Sequence, residues 1–329
     1  MDAQLISQSE YEELLVKHSA STVFHRPAWL NLAASARGSE VFYLGLFDGE
    51  LVAALPVFRQ RVYGITIAGS PLPKHATHLA HPLLDDVVDP ARVLEAVSRW
   101  RRTIRWPFFQ LAWHADLPEV SDPPVVEERY WMEISLAEDL EQLWQRTTHG
   151  ARSSVKKAVR SGIRLHWIRD ADFCADYARL VDSTYRRQGI RPNNPLEIYD
   201  QVWRNREALG LRILAGTLGG KLIAAAWIFS DHHGCYYWDA ASDQEHRKLS
   251  CSHLLQWTIV RWARRQGHPT YNLLGVGRAG ARDGIGWFKR SLGGVPVTGQ
   301  MLYWTSPWIR PLLGGYRQYL KFRDRPRKR

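Results

Sequence analysis

A pattern that occurs twice is the feature that most constrains how this chain can fold. The first half contains VFYLGLF, then Asp48-Gly49, then ELVAALPVF, and the second half contains LRILAGT, then Gly219-Gly220, then KLIAAAWIF. Each copy is typical of a β-hairpin, because Asp-Gly and Gly-Gly supply the positive φ angles of a two-residue turn. When Asp48 is aligned with Gly219, five of the eleven residues up to Phe58 and Phe229 are identical.

A helix and a strand follow each hairpin in the same order. In the first half the periodic segment PARVLEAVSRWRRTIRW begins at Pro90, and PFFQLAW follows as a strand. In the second half the strand CYYWDAA, the helical segment SHLLQWTIVRWARRQG and a further strand follow the hairpin. Two hairpins of similar composition can match by chance, so the shared order is the stronger argument. Because the period is too long for a solenoid, the pattern predicts a duplicated β-β-α-β domain.

The predicted fold class is therefore α/β (α+β), with tandem domains whose mixed, mostly antiparallel sheets are flanked by helices. The join is expected after the proline-rich DLPEVSDPPVV. The predicted segments are a first domain over 1–136, a second over 137–307, a helix over 308–322 that completes the first domain, and a basic tail over 323–329.

The N-terminal residues indicate a cytoplasmic protein. MDAQLISQSEYEELL lacks the basic and apolar regions of a secretory signal. Instead, SEYE at Ser9 to Glu12 predicts a capping box that opens a helix through Lys17. No segment approaches the ~18 apolar residues that a membrane span needs. The three cysteines are widely separated, which indicates a reducing compartment and no disulfide or zinc framework.

The excess of lysine and arginine favours anionic partners. The formal net charge is +11 and the pI is near 9.7, so nucleotides, nucleic acid, phosphorylated precursors and anionic lipid surfaces would all be attracted. The tail from Tyr316, YRQYLKFRDRPRKR, carries seven basic residues and one acid. It is either a disordered, solubilising end or a contact with RNA or with the anionic inner face of the membrane.

Two residues are candidates for catalysis. Lys289 stands in DGIGWFKRSLGG between glycine-rich turns, where a lysine can serve as a point charge for a phosphate or a forming oxyanion. The simpler interpretation is a tight loop with a solvated lysine. Asp239 follows Tyr237 in the apolar strand YYWDAAS, where an acid needs a partner. It is either a general base for an amine or a cap for the loop at Ser242 to His246.

Two further sets of polar residues have a binding and a structural interpretation. Arg152 and Lys156 are one helical turn apart, so they either bind a diphosphate or carboxylate together or belong to a solvated face. His75, His78 and His81 have a spacing that suits a metal on a helix. Nearby prolines argue against a helix, so we predict no metal site.

The order of elements resembles the GNAT acetyltransferase fold in tandem. In more detail the chain resembles the Fem-type transferases, which append amino acids to peptidoglycan precursors, and the CelD-like acetyltransferases. Four blocks carry the resemblance: HGARSSVKKAVRSGI at 149–163, STYRRQGI at 183–190, AASDQEHRKLSCSHLLQWTIVRWARRQG at 240–267, and WFKRSLGG at 287–294. In the family the first block is a basic helix and the last is a Phe-Lys-x-x-Phe/Leu-Gly signature. From these blocks and the strand before the third we expect the substrate-binding residues to be Arg152, Lys156, Arg187, Tyr237, Arg247, Ser250, Ser252 and Phe288.

One block departs from the GNAT pattern. Acetyl-CoA enzymes of this fold carry Arg/Gln-x-x-Gly-x-Gly/Ala before the long helix, whose N-terminal N–H groups bind the pyrophosphate. Here serine replaces both glycines, at Ser250 and Ser252 of RKLSCS. Because a Cβ limits close backbone approach, weak binding of CoA is expected. The Fem-type resemblance implies aminoacyl-tRNA as the donor instead.

The sequence therefore predicts an N-acyltransferase that moves an acyl or aminoacyl group onto an amine of a peptidoglycan or exopolysaccharide precursor. No cofactor is expected to stay bound; aminoacyl-tRNA or acyl-CoA is the co-substrate, and the acceptor is an anionic small molecule or a lipid-linked precursor. By match to the family, Lys289 stabilises the oxyanion and Phe288 shapes the wall. The alternatives are an acetyl-CoA-dependent N-acetyltransferase and a non-catalytic protein that binds nucleic acid or polysaccharide through a basic, Trp-rich cleft.

Overall fold

A computed structural model of the chain describes residues 1–18, 21–73, 75, 77, 79–84, 88–188, 192, 194–276 and 284–309, the side chains of residues 187 and 188 excepted. The chain divides into two compact units, one beginning at Met1 and the other at Tyr130. The first unit covers Met1–Arg129 and resumes at Thr298, and the second covers Tyr130–Val297. Of the helix predicted over 308–322, the structure describes only the beginning, in a 3-10 turn over Pro307–Ile309; the basic tail lies outside the described residues.

The first unit contains the following elements in chain order: β1 Asp2–Ile6, α1 Gln8–Lys17, α2 Pro27–Ser35, β2 Glu40–Asp48, β3 Glu50–Val62, β4 Ile65–Ser70, β5 Leu83–Leu84, α3 Pro90–Ile104 and β6 Phe108–Trp113.

The second unit contains β7 Val125–Ser135, which begins just before its boundary, and then α4 Leu140–Arg146, α5 His149–Arg160, β8 Arg164–Trp167, α6 Phe173–Gln188, α7 Ile198–Arg204, β9 Arg212–Leu218, β10 Lys221–Asp231, β11 Gly234–Ser242, α8 Cys251–Arg265, β12 Thr270–Val276 and α9 Gly284–Ser291. The last strand of the chain, β13 Val295–Thr305, returns to the first unit.

The sheets of the two units have the same strand topology. The strand order is β1-β2-β3-β4-β6-β13 in the first unit and β8-β9-β10-β11-β12-β7 in the second. In each unit one neighbouring pair is parallel, β4 with β6 and β11 with β12. A parallel pair needs a long crossover, and α3 and α8 supply it. The predicted fold class, with tandem units of mixed and mostly antiparallel sheets, is confirmed.

The first unit takes its last strand, β13, from a segment outside its main run of chain, whereas the last strand of the second sheet, β7, lies at the start of that unit. Residues 130–135 of β7 pair with β12, and residues 300–305 of β13 pair with β6. The structural divisions at 129/130 and 297/298 therefore come before the boundaries at 136/137 and 307/308 that the sequence suggested.

The predicted hairpins form because their turn residues adopt the required backbone. Gly49 has φ +83°, and Gly219 and Gly220 have φ +56° and +82°, values in the left-handed region that glycine adopts at little cost. The capping-box prediction was wrong by two residues. Ser7 caps α1, its side chain accepting from the backbone N–H of Glu10, because β1 ends just before it and leaves Ser7 extended.

The long crossover helices cover the core of each unit. One face of α3 buries Val93, Leu94 and Val97 among side chains of the first sheet. One face of α8 buries Leu255, Ile259 and others against Ala224, Ala226 and Ile228 of β10. The apolar residues of β10 that alternate with these point to the opposite face of its sheet, as the period of a strand requires.

Candidate active site

The parallel pair at the centre of the second sheet opens along its length. Backbone pairing between β11 and β12 covers only Cys235 with Tyr271 and Tyr236 with Asn272. Beyond these two pairs a bulge interrupts β12 between Asn272 and Leu274, where Leu274 has φ +60°. The Asn272 side chain accepts from the Leu274 N–H at 2.8 Å, in place of a strand partner. The separated parts of the two strands leave an opening between residues 237–242 and 273–276.

Lys289 binds the separated end of β12. It is 7% exposed, and its Nζ donates to the carbonyl oxygens of Leu274 at 3.3 Å and Gly275 at 2.8 Å. These carbonyls belong to the stretch of β12 that has no pairing with β11. The contacts support a positioning role for Lys289, since a charge-assisted donor satisfies strand carbonyls beside the opening.

The signature WFKRSLGG is built around this lysine. The sequence placed Lys289 between two turns, but it lies in the helix α9, and only the second turn is as expected. There Gly293 has φ +91°. Gly294 donates its N–H to the Lys289 carbonyl at 3.3 Å, and a Cβ on Gly294 would lie 2.8 Å from that oxygen. Both glycines are therefore required by the backbone, and packing of Phe288 and Lys289 stabilises a helix in spite of the glycines at its start.

Phe288 links α9 to the first turn of α8. Its half-buried ring lies 4.9 Å from the ring of His253 in an edge-to-face contact, and burial lowers the pKa of His253. Ser252 precedes this histidine, and Ser250 is the N-cap of α8. Ser250 has φ +60° and makes no side-chain cap, so a serine adopts here the left-handed backbone that glycine favours. The structure thus brings together Phe288 and the two serines predicted to bind substrate.

Asp239 lies on β11 and accepts two tyrosine hydrogen bonds that the sequence did not reveal. The hydroxyl groups of Tyr177 on α6 and Tyr199 on α7 donate to its Oδ2 at 3.2 and 2.5 Å. Burial of the carboxyl group raises its pKa to about 6, while the bonds from Tyr199, the Ala240 N–H and Tyr177 oppose that rise. The alternative role, as a cap for the following loop, is filled by another residue: Asp243 accepts from the Glu245 N–H at 3.0 Å.

A β-bulge determines on which face of the sheet the side chain of Asp239 lies. Along β10 and β11, Trp227 lies opposite Asp239 and Ile228 lies opposite Tyr237, so Trp238 is the extra residue. Tyr237 packs with the core that α8 covers, and burial raises its pKa. Because of the extra residue, the strand alternation is broken, and both Trp238 and Asp239 contact residues of the face that α6 and α7 cover.

The two tyrosines that bond Asp239 belong to a group of packed aromatic rings. The rings of Tyr177 and Tyr199 lie 5.2 and 5.3 Å from that of Trp227. Trp238 lies 5.9 Å from both Tyr199 and Trp227. We call Tyr177, Tyr199, Trp227 and Trp238 the aromatic cluster. A carboxylate that accepts hydrogen bonds from two hydroxyl groups suits a substrate ammonium group, which its charge attracts.

The remaining substrate-binding candidates have different surroundings. The Nη1 of Arg152 donates to the carbonyls of Trp144, Gln145 and Thr147 at 3.3, 3.0 and 2.6 Å, so that it caps the C-terminus of α4. Lys156 is exposed on α5. Arg247 is exposed in the 3-10 turn before α8. The side chain of Arg187 lies outside the described residues.

The histidines of HATHLAH have different surroundings. His75 lies 3.4 Å from the hydroxyl of Ser39 and packs on Phe58, whereas His81 packs between His25 and His114. His78 lies outside the described residues.

One described group has the spacing of metal ligands, namely Asp243, Glu245 and His246. The ammonium group of Lys221 lies 3.1 Å from Asp243 and 3.6 Å from Glu245 and balances their charge.

Comparison with known families identifies the second unit. Residues 145–288 match the family described as Acetyltransferase (GNAT) domain. These residues form a GNAT domain. The GNAT domain includes α5, the bulged strand β11, the crossover helix α8 and all of α9 except its last three residues. The resemblance inferred from the sequence blocks is confirmed, and the protein is an acyl-transferring enzyme. No curated protein matches the chain significantly.

Solved structures extend the likeness to the whole chain. FemX is similar with a TM-score of 0.65 at 13% identity, covering 91% of this chain and 97% of its own. The C-terminal domain of a putative lysylphosphatidylglycerol synthetase from Agrobacterium fabrum has a TM-score of 0.61 at 12% identity, covering 94% and 97%. A tandem GNAT protein from the clavulanic acid biosynthesis pathway has a TM-score of 0.51 at 14% identity, covering 92% and 98%. These structures share the fold of the chain.

None of the helices within the described residues combines the length and the apolar character that a bilayer-spanning helix requires.

Proposed function

We propose that this GNAT protein transfers an acyl or aminoacyl group to a primary amine of a cell-envelope precursor. The observation that carries the proposal is Asp239, a carboxyl group that accepts from two tyrosines of the aromatic cluster and has a pKa of about 6. The similar fold of FemX and of a putative lysylphosphatidylglycerol synthetase supports an envelope substrate. A polar precursor with anionic groups also suits the net charge of +11.

Asp239 would act as the general base. A carboxyl group with a pKa near 6 is ionised at neutral pH and can still accept a proton from an amine in a transition state. Both tyrosines bond Oδ2, which leaves capacity on Oδ1 for the substrate ammonium. The ammonium gives one proton to Asp239, and its nitrogen then bonds to the donor carbonyl. As the tetrahedral intermediate collapses, the carbonyl bond to the donor oxygen or sulfur breaks, and that atom takes up the second proton that the amine nitrogen loses.

The donor is proposed to lie in the opening between β11 and β12, next to the first turn of α8. Phe288 contacts His253 in the first turn of α8, and Lys289 bonds the end of β12, so both residues border that opening. We keep aminoacyl-tRNA as the leading donor, since the Cβ atoms of Ser250 and Ser252 restrict a pyrophosphate. The left-handed backbone of Ser250 is an observation in favour of acyl-CoA as the second candidate, because the loop keeps the conformation of the glycine that it lacks.

The test is a mass-spectrometric transfer assay with a lysine-bearing peptidoglycan precursor and an amino-sugar acceptor. Each acceptor is offered with charged tRNA or with acetyl-CoA. We expect a mass increase on an amine with one donor, and a loss of about 100- to 10,000-fold in turnover for Asp239→Asn. The exposed Asp172→Asn is the control for a change of charge. Full activity of Asp239→Asn, or modification of hydroxyl groups alone, would contradict the proposal.

A further inference from the structure

A pocket far along α8 from its first turn has the composition of a binding site. It has a volume of about 300 Å³ and is lined by Trp167, Thr258, Arg261, Trp262, Arg265 and Gln266. Trp167 ends β8, the edge strand of the second sheet, and the others lie on the last turns of α8 or just after it. Arg261 is eleven residues after Ser250, which is roughly 16 Å along a helix. The pocket is therefore separate from the opening between β11 and β12.

Two arginines supply the charge of this pocket. Arg261 and Arg265 are one helical turn apart and both are exposed, so their guanidinium groups extend from the same face of α8. Within the part of the chain that the structure describes, neither has a carboxylate within salt-bridge distance, although eleven other ion pairs are found there. The neighbouring Arg264, by contrast, bonds the carbonyl of Glu138. Two adjacent guanidinium groups without a protein anion suit a phosphate, which accepts paired N–H bonds from each.

Two tryptophans supply the apolar surface of the pocket. The half-buried rings of Trp167 and Trp262 lie 5.2 Å apart at an interplanar angle of 50°. Since the rings are tilted, a flat ligand can stack on one ring and meet the edge of the other. A nucleobase is such a ligand, and its stacking on an aromatic side chain does not depend on base identity.

We propose that this pocket binds a nucleotide unit, with the base on the tryptophans and the phosphate on Arg261 and Arg265. A sugar acid would also stack on a tryptophan, but its carboxylate carries a single negative charge, whereas a phosphate monoester carries about 1.5 to 2 at pH 7. A nucleotide matches both halves of the pocket, and the volume is of the size that such ligands occupy. The proposal is independent of the transfer reaction, because no residue assigned to the reaction lines the pocket.

The experiment measures binding by calorimetry with AMP, adenosine, ribose 5-phosphate and a short 5′-phosphorylated single-stranded RNA. AMP is expected to bind at least about tenfold more tightly than adenosine, which lacks the phosphate, and than ribose 5-phosphate, which lacks the base. Tighter binding of the RNA would identify a nucleic-acid chain as the source of the nucleotide, and equal binding would identify a free nucleotide. Binding of ribose 5-phosphate as tight as that of AMP would overturn the proposal.

Variants connect the binding to this pocket. Arg261→Gln/Arg265→Gln should weaken AMP binding at least about tenfold, and since both side chains are exposed, a thermal melt should show an intact fold. Trp262→Leu should lower affinity to that of ribose 5-phosphate, with Trp167→Leu as the second variant if the first is unstable. Arg160→Gln/Arg164→Gln removes two exposed charges outside the pocket and serves as the matched control. Wild-type affinity in the Arg261→Gln/Arg265→Gln protein would exclude the pocket. Asp239→Asn should bind AMP normally, which separates this test from that of the proposed reaction.

Discussion

Replacing Asp239 by asparagine should change how the stability of the second unit depends on pH. Folding raises the pKa of this carboxyl group from 3.8 to about 6, chiefly because the group is buried. The folded state therefore holds a proton that the unfolded chain has already released between about pH 4 and pH 6. As pH rises through this window, the wild-type protein loses the stability that the bound proton confers. Asparagine does not ionise, so the variant avoids this loss.

The size of the effect follows from the shift. Two pKa units correspond to about 3 kcal/mol, of which roughly 2 to 3 kcal/mol falls between pH 4 and pH 8 and at least about 1 kcal/mol falls above pH 5. Both tyrosines donate to one oxygen of Asp239, and the amide oxygen of an asparagine can accept the same two bonds. The variant should therefore fold, and it should gain stability over the wild type as pH increases.

The assay is urea unfolding of both proteins at several pH values from 4 to 8, followed by tryptophan fluorescence. The quantity of interest is the difference between their free energies of unfolding, which should grow in favour of Asp239→Asn with increasing pH. Asp172→Asn, which removes an exposed carboxylate, controls for net charge. Parallel pH profiles for Asp239→Asn and the wild type would refute the reasoning, since they would mean that the pKa of Asp239 does not change on folding.

Three further changes test the surroundings of the site. Tyr199→Phe removes a 2.5 Å hydrogen bond to the charged carboxylate, so the pKa of Asp239 should rise by about one unit. The acidic limb of the pH profile of kcat/KM, or the titration of the carboxyl carbon in NMR, should then move to higher pH. An acidic limb that does not move would argue against Asp239 as the general base. Lys289→Met leaves two strand carbonyls without their donor, which should cost roughly 2 to 4 kcal/mol of unfolding free energy and lower the Tm by about 5 to 15 °C. The exposed Arg290→Gln is the control, and an unchanged Tm of Lys289→Met would contradict the positioning role. If Lys289 also stabilises the oxyanion, kcat measured well below the Tm should fall about 100- to 1000-fold. Ser250→Gly should raise the Tm by a few degrees, since it relieves about 1 kcal/mol of strain in the left-handed backbone. A lower Tm would show that the serine hydroxyl contributes more to stability than the strain costs. Calorimetric titration of the same variant should also find tighter CoA binding if the serine Cβ is what excludes the pyrophosphate.

Local signals in the sequence were enough to predict the framework of the fold. The hairpins follow from turn glycines, and the crossover helices follow from apolar periodicity that begins at Pro90 and near Ser252. The strand β4 was missed, because YGITIAGS lies beside a proline- and histidine-rich segment that obscures it. In the same way α9 was taken for turns, since glycines at its start outweigh in sequence the packing that stabilises it.

The site could be predicted only in part, because its contacts join residues far apart in the chain. Because Asp239 is an acidic residue in an apolar strand, the sequence predicted that it needs a polar partner. Nothing local pointed to Tyr177 and Tyr199, which are 62 and 40 residues away. Conversely, Arg152 has the residue type of an anion-binding group, but the short α4 just before it offers carbonyls that bind its guanidinium group.

The late position of β13 in the chain has a consequence for synthesis on the ribosome. The nascent first unit emerges with β6 at an open edge, since its neighbour β13 is made only when residues 300–305 leave the exit tunnel. Until then the row of unpaired amide and carbonyl groups along β6 can recruit strands of other chains. The strand that follows β6, β7, cannot close that edge, because its own partner is β12. Duplication of a domain normally yields two modules that evolution can separate and recombine. Here the second unit is continuous from Tyr130 to Val297, but the first unit is complete only with β13, so a cut between the two units leaves the β6 edge without its partner.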